Sequence, residues 1–292
     1  MYRSRNLAAA GLLGLALGLA PAGAETLTWT GLAGDWSAAE NWTNTVHPEL
    51  TRVPAAGDDV VIDRGGAQVE LADSTDFLGS LAISNATLVF SNWDTLLSAT
   101  QVTVRGGGIL TCAGPFTNTA MSNRVNLLCS NLLVEAGGAI SVDGKGFAGG
   151  VSNYYAGHGP GGGLYFASSP RKYGGSYGGA GINGEGVPIF ATNTYGSAER
   201  PLEPGSGGCA GSATNGIGGA GGGAVCITAD QVVVSGRISA NGGLTSGQVH
   251  NSAGSGGGIY IVCRTIHGTN GSVTADAGLP RIVYNYNGGG AG

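Results

Sequence analysis

AVCITADQVVVSGRISANG, at residues 224–242, indicates a repeat architecture, because a related run, IYIVCRTIHGTNGSVTADA, follows at 259–277. Each run contains short β-branched stretches that are separated by a polar or glycine corner. Ile238 in the first run and Val273 in the second lie 35 positions apart. A repeated unit of this size cannot bury its apolar residues alone, so it stacks on copies of itself. The pattern therefore predicts an all-β chain that folds as a β-solenoid.

Other runs extend the ladder toward the N-terminus. Ala224 and Ile259 repeat the 35-residue spacing, whereas Val104 and Val134 lie 30 positions apart. Side chains alternate between the two faces of a strand, so every second residue of a run points inward. The predicted inward stacks are Leu88, Leu110, Ile140, Ile238 and Val273; Ile83, Val104, Val134 and Val234; and Phe90, Cys112, Val142, Ala240 and Ala275.

Asn241 and Asp276 occupy matching corners of the two repeats. Asn and Asp tolerate a left-handed backbone better than other residues that carry a side chain. We therefore expect both residues to adopt that conformation. Stacked Asn side chains at such corners can also hydrogen-bond along a solenoid.

One repeat carries a large insertion. Residues 125–142 match residues 225–240, which leaves a glycine-rich insertion at about 143–223. Insertions in repeat proteins emerge on one face, which is often the binding face. Four tyrosines of this segment are therefore candidates for contact with carbohydrate: Tyr154, Tyr155, Tyr173 and Tyr177. The alternative interpretation is a flexible or self-packed glycine lid without a binding role.

The N-terminus has the pattern of a secretory signal. Arg3 and Arg5 precede an apolar run at 7–20, and Ala22-Gly23-Ala24 provides the small residues of a cleavage site. The apolar run is short for a membrane span. Residues 1–24 are therefore predicted to be a signal peptide. We expect the mature chain to be exported without a membrane span, and to be extracellular or held at the cell surface or outer membrane.

The cysteines give no sign of a metal or redox motif. The chain has 5 Cys at irregular spacing without a Cys-x-x-Cys pair, so neither a zinc site nor a redox site is predicted. Cys112, Cys226 and Cys263 lie in strand-like runs, where Cys packs as a small apolar residue. Cys209 lies among glycines and is expected to be a free thiol. Export would permit disulfides.

A tryptophan-rich segment at 25–63 precedes the solenoid, which is predicted at 64–292. Its Trp29, Trp36 and Trp42 have two interpretations. They can cap the apolar end and the unpaired strands that a solenoid exposes. Alternatively, they can form an aromatic platform that stacks on sugar rings. At the other end, the glycines at 288–290 resemble those that introduce earlier strands, which predicts that a longer protein continues beyond this chain.

The composition excludes one class of partner. The chain has 13 Lys and Arg against 18 Asp and Glu, a formal net charge of -5, and lysine only at Lys145 and Lys172. A nucleic-acid-binding protein needs a basic face that neutralises phosphates. We therefore expect no nucleic-acid partner.

The repeats at 81–142 and 224–276 resemble the right-handed parallel β-helix of the pectin-lyase-like superfamily. The glycine-rich stretches at 157–163 and 218–224 are similar to those of exported bacterial surface proteins of the autotransporter-like type. The resemblance covers about residues 60–292. It implies a right-handed β-helix at the cell surface, acting as a structural protein, an adhesin or a passenger domain that contacts polysaccharide or other cell-surface components.

The same resemblance raises an enzymatic alternative, a polysaccharide lyase or glycoside hydrolase. Gly157-His158-Gly159 matches a triplet of polygalacturonase-like members, which makes His158 a candidate catalytic residue. The paired carboxylates that glycoside hydrolysis needs do not lie near it in the sequence, and 281–283 reads Arg-Ile-Val where the family has Arg-Ile-Lys. The acidic residues are too scattered for the six to eight oxygen ligands of calcium. We therefore expect no catalysis, no metal and no cofactor, with a carbohydrate-binding module as a further alternative.

Overall fold

The computed structural model describes residues 24–49, 51–117, 120–151, 156–166, 171–183, 185–188, 194–211, 216–245, 251–279 and 289–292. The fold is all-β with parallel sheets. A short 3-10 helix spans Ala39–Asn41. The strands are β1 Thr26–Trp29, β2 Ala33–Asp35, β3 Trp42–Asn44, β4 Asp59–Ile62, β5 Gln68–Leu71, β6 Phe77–Ile83, β7 Thr87–Phe90, β8 Leu97–Val104, β9 Ile109–Cys112, β10 Val125–Val134, β11 Ala139–Ser141, β12 Tyr165–Phe166, β13 Arg171–Lys172, β14 Ala224–Val234, β15 Arg237–Ser239, β16 Gly258–Val262, β17 Thr265–His267 and β18 Ser272–Thr274.

Two sheets hold most of these strands. The first has the order β16-β14-β10-β8-β6-β4-β1-β3, with β17 also paired to β14, and the second has the order β18-β15-β11-β9-β7-β5-β2. The named strands pair in parallel, apart from the antiparallel pairs β1–β3 and β12–β13. From β4 to β11, and again from β14 to β16, successive strands alternate between the two sheets, whereas β12 and β13 form a separate pair and β17 stays in the first sheet. We call each set of consecutive strands that crosses both sheets a rung.

The strand register confirms the predicted apolar stacks. Leu110 pairs with Ile140, and Ile140 pairs with Ile238, at the spacing that the sequence indicated. The members of the three stacks from Ile83 to Ala240 are buried. Val273 pairs with Ile238 as predicted, yet it is 47% exposed, because β18 is the last strand of its sheet.

The predicted equivalence of Ala224 and Ile259 is wrong by one residue. Ala224 pairs with Gly258, and the 35-residue offset begins only in the next strand pair, β15 with β18. The corner that leads into β18 therefore holds one extra residue, and Asn270 lies in it with a φ of 59°. A slip of one position moves a side chain to the opposite face of the sheet. The register of β16 on β14 therefore places Ile259 opposite Val225, and the corner before β18 changes the offset only for β18.

The left-handed backbone lies at other residues than predicted. Among the described residues that carry a side chain, Asn85 and Asn270 have a positive φ, and Asn241 and Asp276 do not. The stacked hydrogen bond at this corner is present, since the Asp276 N–H donates to Asn241 Oδ1 at 2.8 Å. The polar stack therefore forms without the unusual backbone.

All five cysteines are free thiols. Cys112 is buried, as predicted for a small apolar residue, whereas Cys226 and Cys263 are half-buried. Cys209 is free as expected, but it is buried. Burial raises the pKa of Cys112, Cys129 and Cys209 to about 12. These three thiols are therefore poor nucleophiles at neutral pH, since the thiolate is the reactive form.

Within the described residues, no helix has the length and apolar content that a membrane crossing requires.

Candidate functional site

Five segments of the predicted insertion form a layer of extended chain, which we call the glycine bundle. Its backbone N–H and C=O groups bond between segments that are distant in sequence. The layer also recruits residues from beyond the insertion. Its segments are 146–150, 157–163, 173–176, 205–209, 218–223, 252–257 and 289–292.

The hydrogen bonds of the glycine bundle have a period of three residues. In the segment 205–209, the first and fourth carbonyls face one neighbouring segment, the second and fifth face another, and the third faces a further one. The bonds are from the N–H of Phe147 to Gly205, Gly150 to Gly208, Ser255 to Ser206, Ser252 to Cys209 and Gly163 to Gly207. Three residues per turn without internal hydrogen bonds is the pattern of a polyproline II helix. The glycine bundle is therefore a backbone-bonded layer and not an open loop.

Close approach of the segments explains why these positions are glycine. A Cβ atom built on Gly221 would lie closer than 3.0 Å to the backbone of Gly205, and one on Gly254 equally close to Ala220. Real Cβ atoms do not approach a backbone to that distance. Side chains are excluded from these contacts because the backbones themselves occupy the space.

A pair of tyrosines lies beside the glycine bundle. The Tyr177 hydroxyl donates to Glu203 Oε2 at 3.2 Å, and its ring packs edge-to-face on Tyr195 with centroids 5.0 Å apart. The Tyr195 hydroxyl donates to the carbonyl of Pro204 at 2.5 Å and accepts from Ser206 Oγ at 2.9 Å. Burial raises the pKa of both tyrosines above its usual value. Both hydroxyls therefore stay protonated and act as hydrogen-bonding groups.

The tyrosine pair borders a cavity of about 850 Å³, which we call the terminal cavity. It lies where β16 and β18 end the two sheets. Ile259, Ile261 and Val273 form an apolar part of its lining. The other lining residues are Tyr177, Gly178, Thr194, Tyr195, Gly196, Ser197, Ala198, Pro201, Gly257, Thr274, Ala275 and Gly292. The lining thus combines aromatic rings, hydroxyl groups and apolar side chains.

Of the other tyrosine candidates, Tyr173 does not belong to this lining. Tyr173 is buried at 7% exposure within the glycine bundle. Tyr154 and Tyr155 lie outside the described residues. Sequence reasoning selected Tyr177 but missed Tyr195, because nothing in the surrounding sequence ATNTYGSAER, at 191–200, indicates where Tyr195 lies in the fold. What links Tyr195 to Tyr177 is that both residues lie near β16 and β18, and only the folded structure brings them there.

The three tryptophans lie inside the core. Trp29 and Trp42 are each 1% exposed and Trp36 is 6% exposed. Trp42 packs edge-to-face against Trp29 and Trp36, with centroids 5.0 and 4.8 Å away. The indole N–H groups of Trp29 and Trp42 donate to the carbonyls of Gly31 and Trp36, each at 2.8 Å. The interpretation of these tryptophans as a sugar-binding platform is therefore wrong, because a sugar cannot stack on a ring face that is enclosed by protein.

His158 takes part in the glycine bundle through its backbone. Its N–H donates to the carbonyl of Ala148 at 2.9 Å, and its carbonyl accepts from Gly207 at 3.0 Å. Within the described ranges, no three His, Cys, Asp or Glu side chains cluster as metal ligands. The backbone role accounts for the position of His158 without a catalytic one.

Comparison with protein-family models, curated proteins and solved structures finds no match to this chain. The resemblance to the pectin-lyase-like superfamily therefore stays a prediction.

Proposed function

We propose that this chain is an exported, non-catalytic surface or extracellular protein that binds polysaccharide in the terminal cavity. In this proposal the two sheets wind as a right-handed parallel β-helix, and the glycine bundle holds the tyrosine pair against the last rung. The protein then acts as a rigid adhesin or passenger domain.

The observation that carries the proposal is the composition of the terminal cavity. Ligand cavities commonly measure about 300–1,000 Å³ and combine apolar walls with a few polar groups. A sugar ring has apolar faces and a polar rim, and tyrosine offers an apolar ring with a hydroxyl at its tip. The cavity of about 850 Å³ places Tyr177 and Tyr195 beside Ile259 and Ile261. This combination suits a neutral sugar.

The terminal cavity also fits a static binding site better than a catalytic one. The Glu203 carboxylate, which lies outside the lining, accepts the hydroxyl of the lining residue Tyr177 at 3.2 Å. Acid–base hydrolysis of glycosides uses two carboxylates about 5–9.5 Å apart across the bond. No Asp or Glu side chain belongs to the described lining of the cavity.

The test is a binding screen of the chain from Glu25 onward against neutral and acidic polysaccharides. Ala198, an exposed residue of the cavity lining, is replaced by Trp to fill the space. Ala136→Trp, in an exposed turn between β10 and β11, is the matched control. We expect Ala198→Trp to weaken binding of a neutral polysaccharide by about tenfold or more, and Ala136→Trp to leave it unchanged.

Two outcomes would reject the proposal. One is that no polysaccharide binds, or that Ala198→Trp binds as tightly as the unmodified chain. The other is release of new reducing ends or unsaturated sugars from a bound polysaccharide, which would favour the hydrolase or lyase alternative.

A further inference from the structure

A cluster of charged residues lies at the start of the described chain. The Asp58 side chain is only 2% exposed. It accepts hydrogen bonds from both Arg52 Nη atoms, at 2.5 and 2.8 Å, and from the Ala55 N–H at 2.7 Å. The backbone N–H of Glu25 is its fourth donor, at 3.0 Å from Oδ1. The Glu25 carboxylate also accepts from Arg52, at 2.7 Å.

The charges of this cluster do not balance. One guanidinium, that of Arg52, faces two carboxylates, those of Glu25 and Asp58. The neighbouring Asp59 carboxylate is engaged elsewhere, since it accepts from Ser80 Oγ at 2.6 Å. A buried carboxylate is costly unless it is paired. With one positive and two negative groups, the cluster would be neutralised by one more positive charge at the Glu25 nitrogen.

The sequence supplies that charge at the same atom. Ala22-Gly23-Ala24 predicts hydrolysis of the peptide bond between Ala24 and Glu25. In this reaction water adds across the bond, Ala24 leaves with the new carboxylate, and the Glu25 nitrogen takes up a proton. Ala24 is exposed in the structure.

We propose that export cleavage after Ala24 creates an α-ammonium group on Glu25 that pairs with Asp58 and fixes the N-terminal cap. The amide of the uncleaved chain already donates to an ionised carboxylate, whereas an α-ammonium group donates from the same atom and carries a full positive charge. The contact therefore becomes an ion pair at the same place.

The pairing would act directly on the tryptophan core. The carbonyl of Glu25 accepts from the Asp59 N–H at 2.8 Å, and the next residue, Thr26, begins the pairing of β1 with β4. β1 ends at Trp29, which packs on Trp42. Processing of the chain would therefore stabilise the strand that carries the buried rings. This inference rests on the predicted signal peptide and is independent of polysaccharide binding.

Three forms of the protein test the inference: one that begins at Glu25, the same chain with an acetylated α-amino group, and one that begins at Ala24. The acetylated form keeps the N–H donor and loses only the charge. The Ala24 form keeps the charge and moves it by one residue. We expect the free Glu25 form to melt about 2–4 °C higher than both near neutral pH.

The pH dependence of melting gives a second readout. An unperturbed α-amino group has a pKa of about 7.7–8.0, and pairing with Asp58 raises it in the folded state. The added stability is then complete below about pH 7.7 and disappears as the pH rises through the folded pKa. The acetylated form should show no such transition.

Further measurements keep the inference falsifiable. The intact mass of the exported protein should correspond to a chain that begins at Glu25. Asp58→Asn should abolish the difference between the Glu25 and Ala24 forms. If that variant does not fold, competitive acetylation of the unmodified protein measures the α-amino pKa directly. A different first residue, an unraised α-amino pKa, or equal melting of the three forms would overturn the inference.

Discussion

The apolar ladders and the glycine bundle form two neighbouring regions that exclude water in opposite ways. In the ladders, strands stay a normal sheet distance apart and side chains such as Ile140 fill the interior. In the glycine bundle, segments approach so closely that a Cβ on Gly221 would clash with Gly205. The first region draws its stability from buried apolar area, and the second from satisfied backbone groups that pack against each other.

The two regions should therefore tolerate different amino-acid substitutions. The ladders need apolar side chains of suitable volume, and conservative apolar changes should cost little. The close contacts of the glycine bundle, such as that of Gly221 with Gly205, need the absence of a side chain, so even a methyl group is too large there.

A charge in the ladder should have the largest effect. Ile140 is completely buried between Leu110 and Ile238 in its stack. Ile140→Asp buries a carboxylate without a partner, so we expect a loss of more than about 4 kcal/mol in the free energy of unfolding, or failure to fold. Leu128→Asp, at an exposed position of β10, is the control and should change stability little. Normal thermal stability of Ile140→Asp would refute the ladder assignment.

A methyl group in the glycine bundle should have the next largest effect. For Gly221→Ala we expect a loss of about 1–3 kcal/mol, because the segments must separate to admit the Cβ atom. Gly65→Ala is the matched control, since a Cβ atom there meets nothing within 4 Å. It should be neutral or slightly stabilising. Equal unfolding midpoints for the two variants in a urea titration would contradict the close-packed description of the glycine bundle.

The reactivity of the buried thiols shows which region of the protein opens in the Gly221→Ala variant. Cys209 lies in the glycine bundle and Cys112 lies in a ladder stack, and both are completely buried. Local opening exposes a region without unfolding the rest. Pulsed alkylation followed by mass spectrometry measures how fast each thiol is labelled. In the Gly221→Ala variant we expect Cys209 to be labelled about tenfold faster and Cys112 at an unchanged rate. A tenfold change corresponds to about 1.4 kcal/mol in the free energy of local opening. Equal acceleration at both thiols would mean that the two regions open as one unit.

The ladders could be predicted from the sequence because their side chains alternate between apolar and polar and recur at regular spacing. Alternation of apolar and polar residues identifies an inward face, and Leu110, Ile140 and Ile238 were placed in one stack on that basis alone. The corner before β18 was less predictable, because the glycines and Asn270 permit several loop lengths. One extra residue there makes the offset 34 before the corner and 35 after it, so the single 35-residue spacing assigned Ala224 the wrong partner.

The glycine bundle and the terminal cavity could not be predicted in the same way. Gly65 and Gly221 look alike in the sequence, although one is open to solvent and the other is enclosed by backbone. A residue without a side chain gives no signal about which segment it contacts. The terminal cavity joins Tyr195 to Ile259 across a long stretch of chain, so it exists only after both regions have folded.

The smallest effect is expected where the two regions meet. Tyr177→Phe removes the hydroxyl that donates to Glu203 but keeps the ring against Tyr195. We expect a loss of about 1 kcal/mol in the free energy of unfolding, the usual net value of one hydrogen bond. Tyr260→Phe is the control, because it keeps the ring that lies under the Arg200 guanidinium, and it should change stability by less than about 0.5 kcal/mol. A loss for Tyr177→Phe as large as that for Gly221→Ala would mean that the hydroxyl, and not backbone packing, holds the glycine bundle to the last rung.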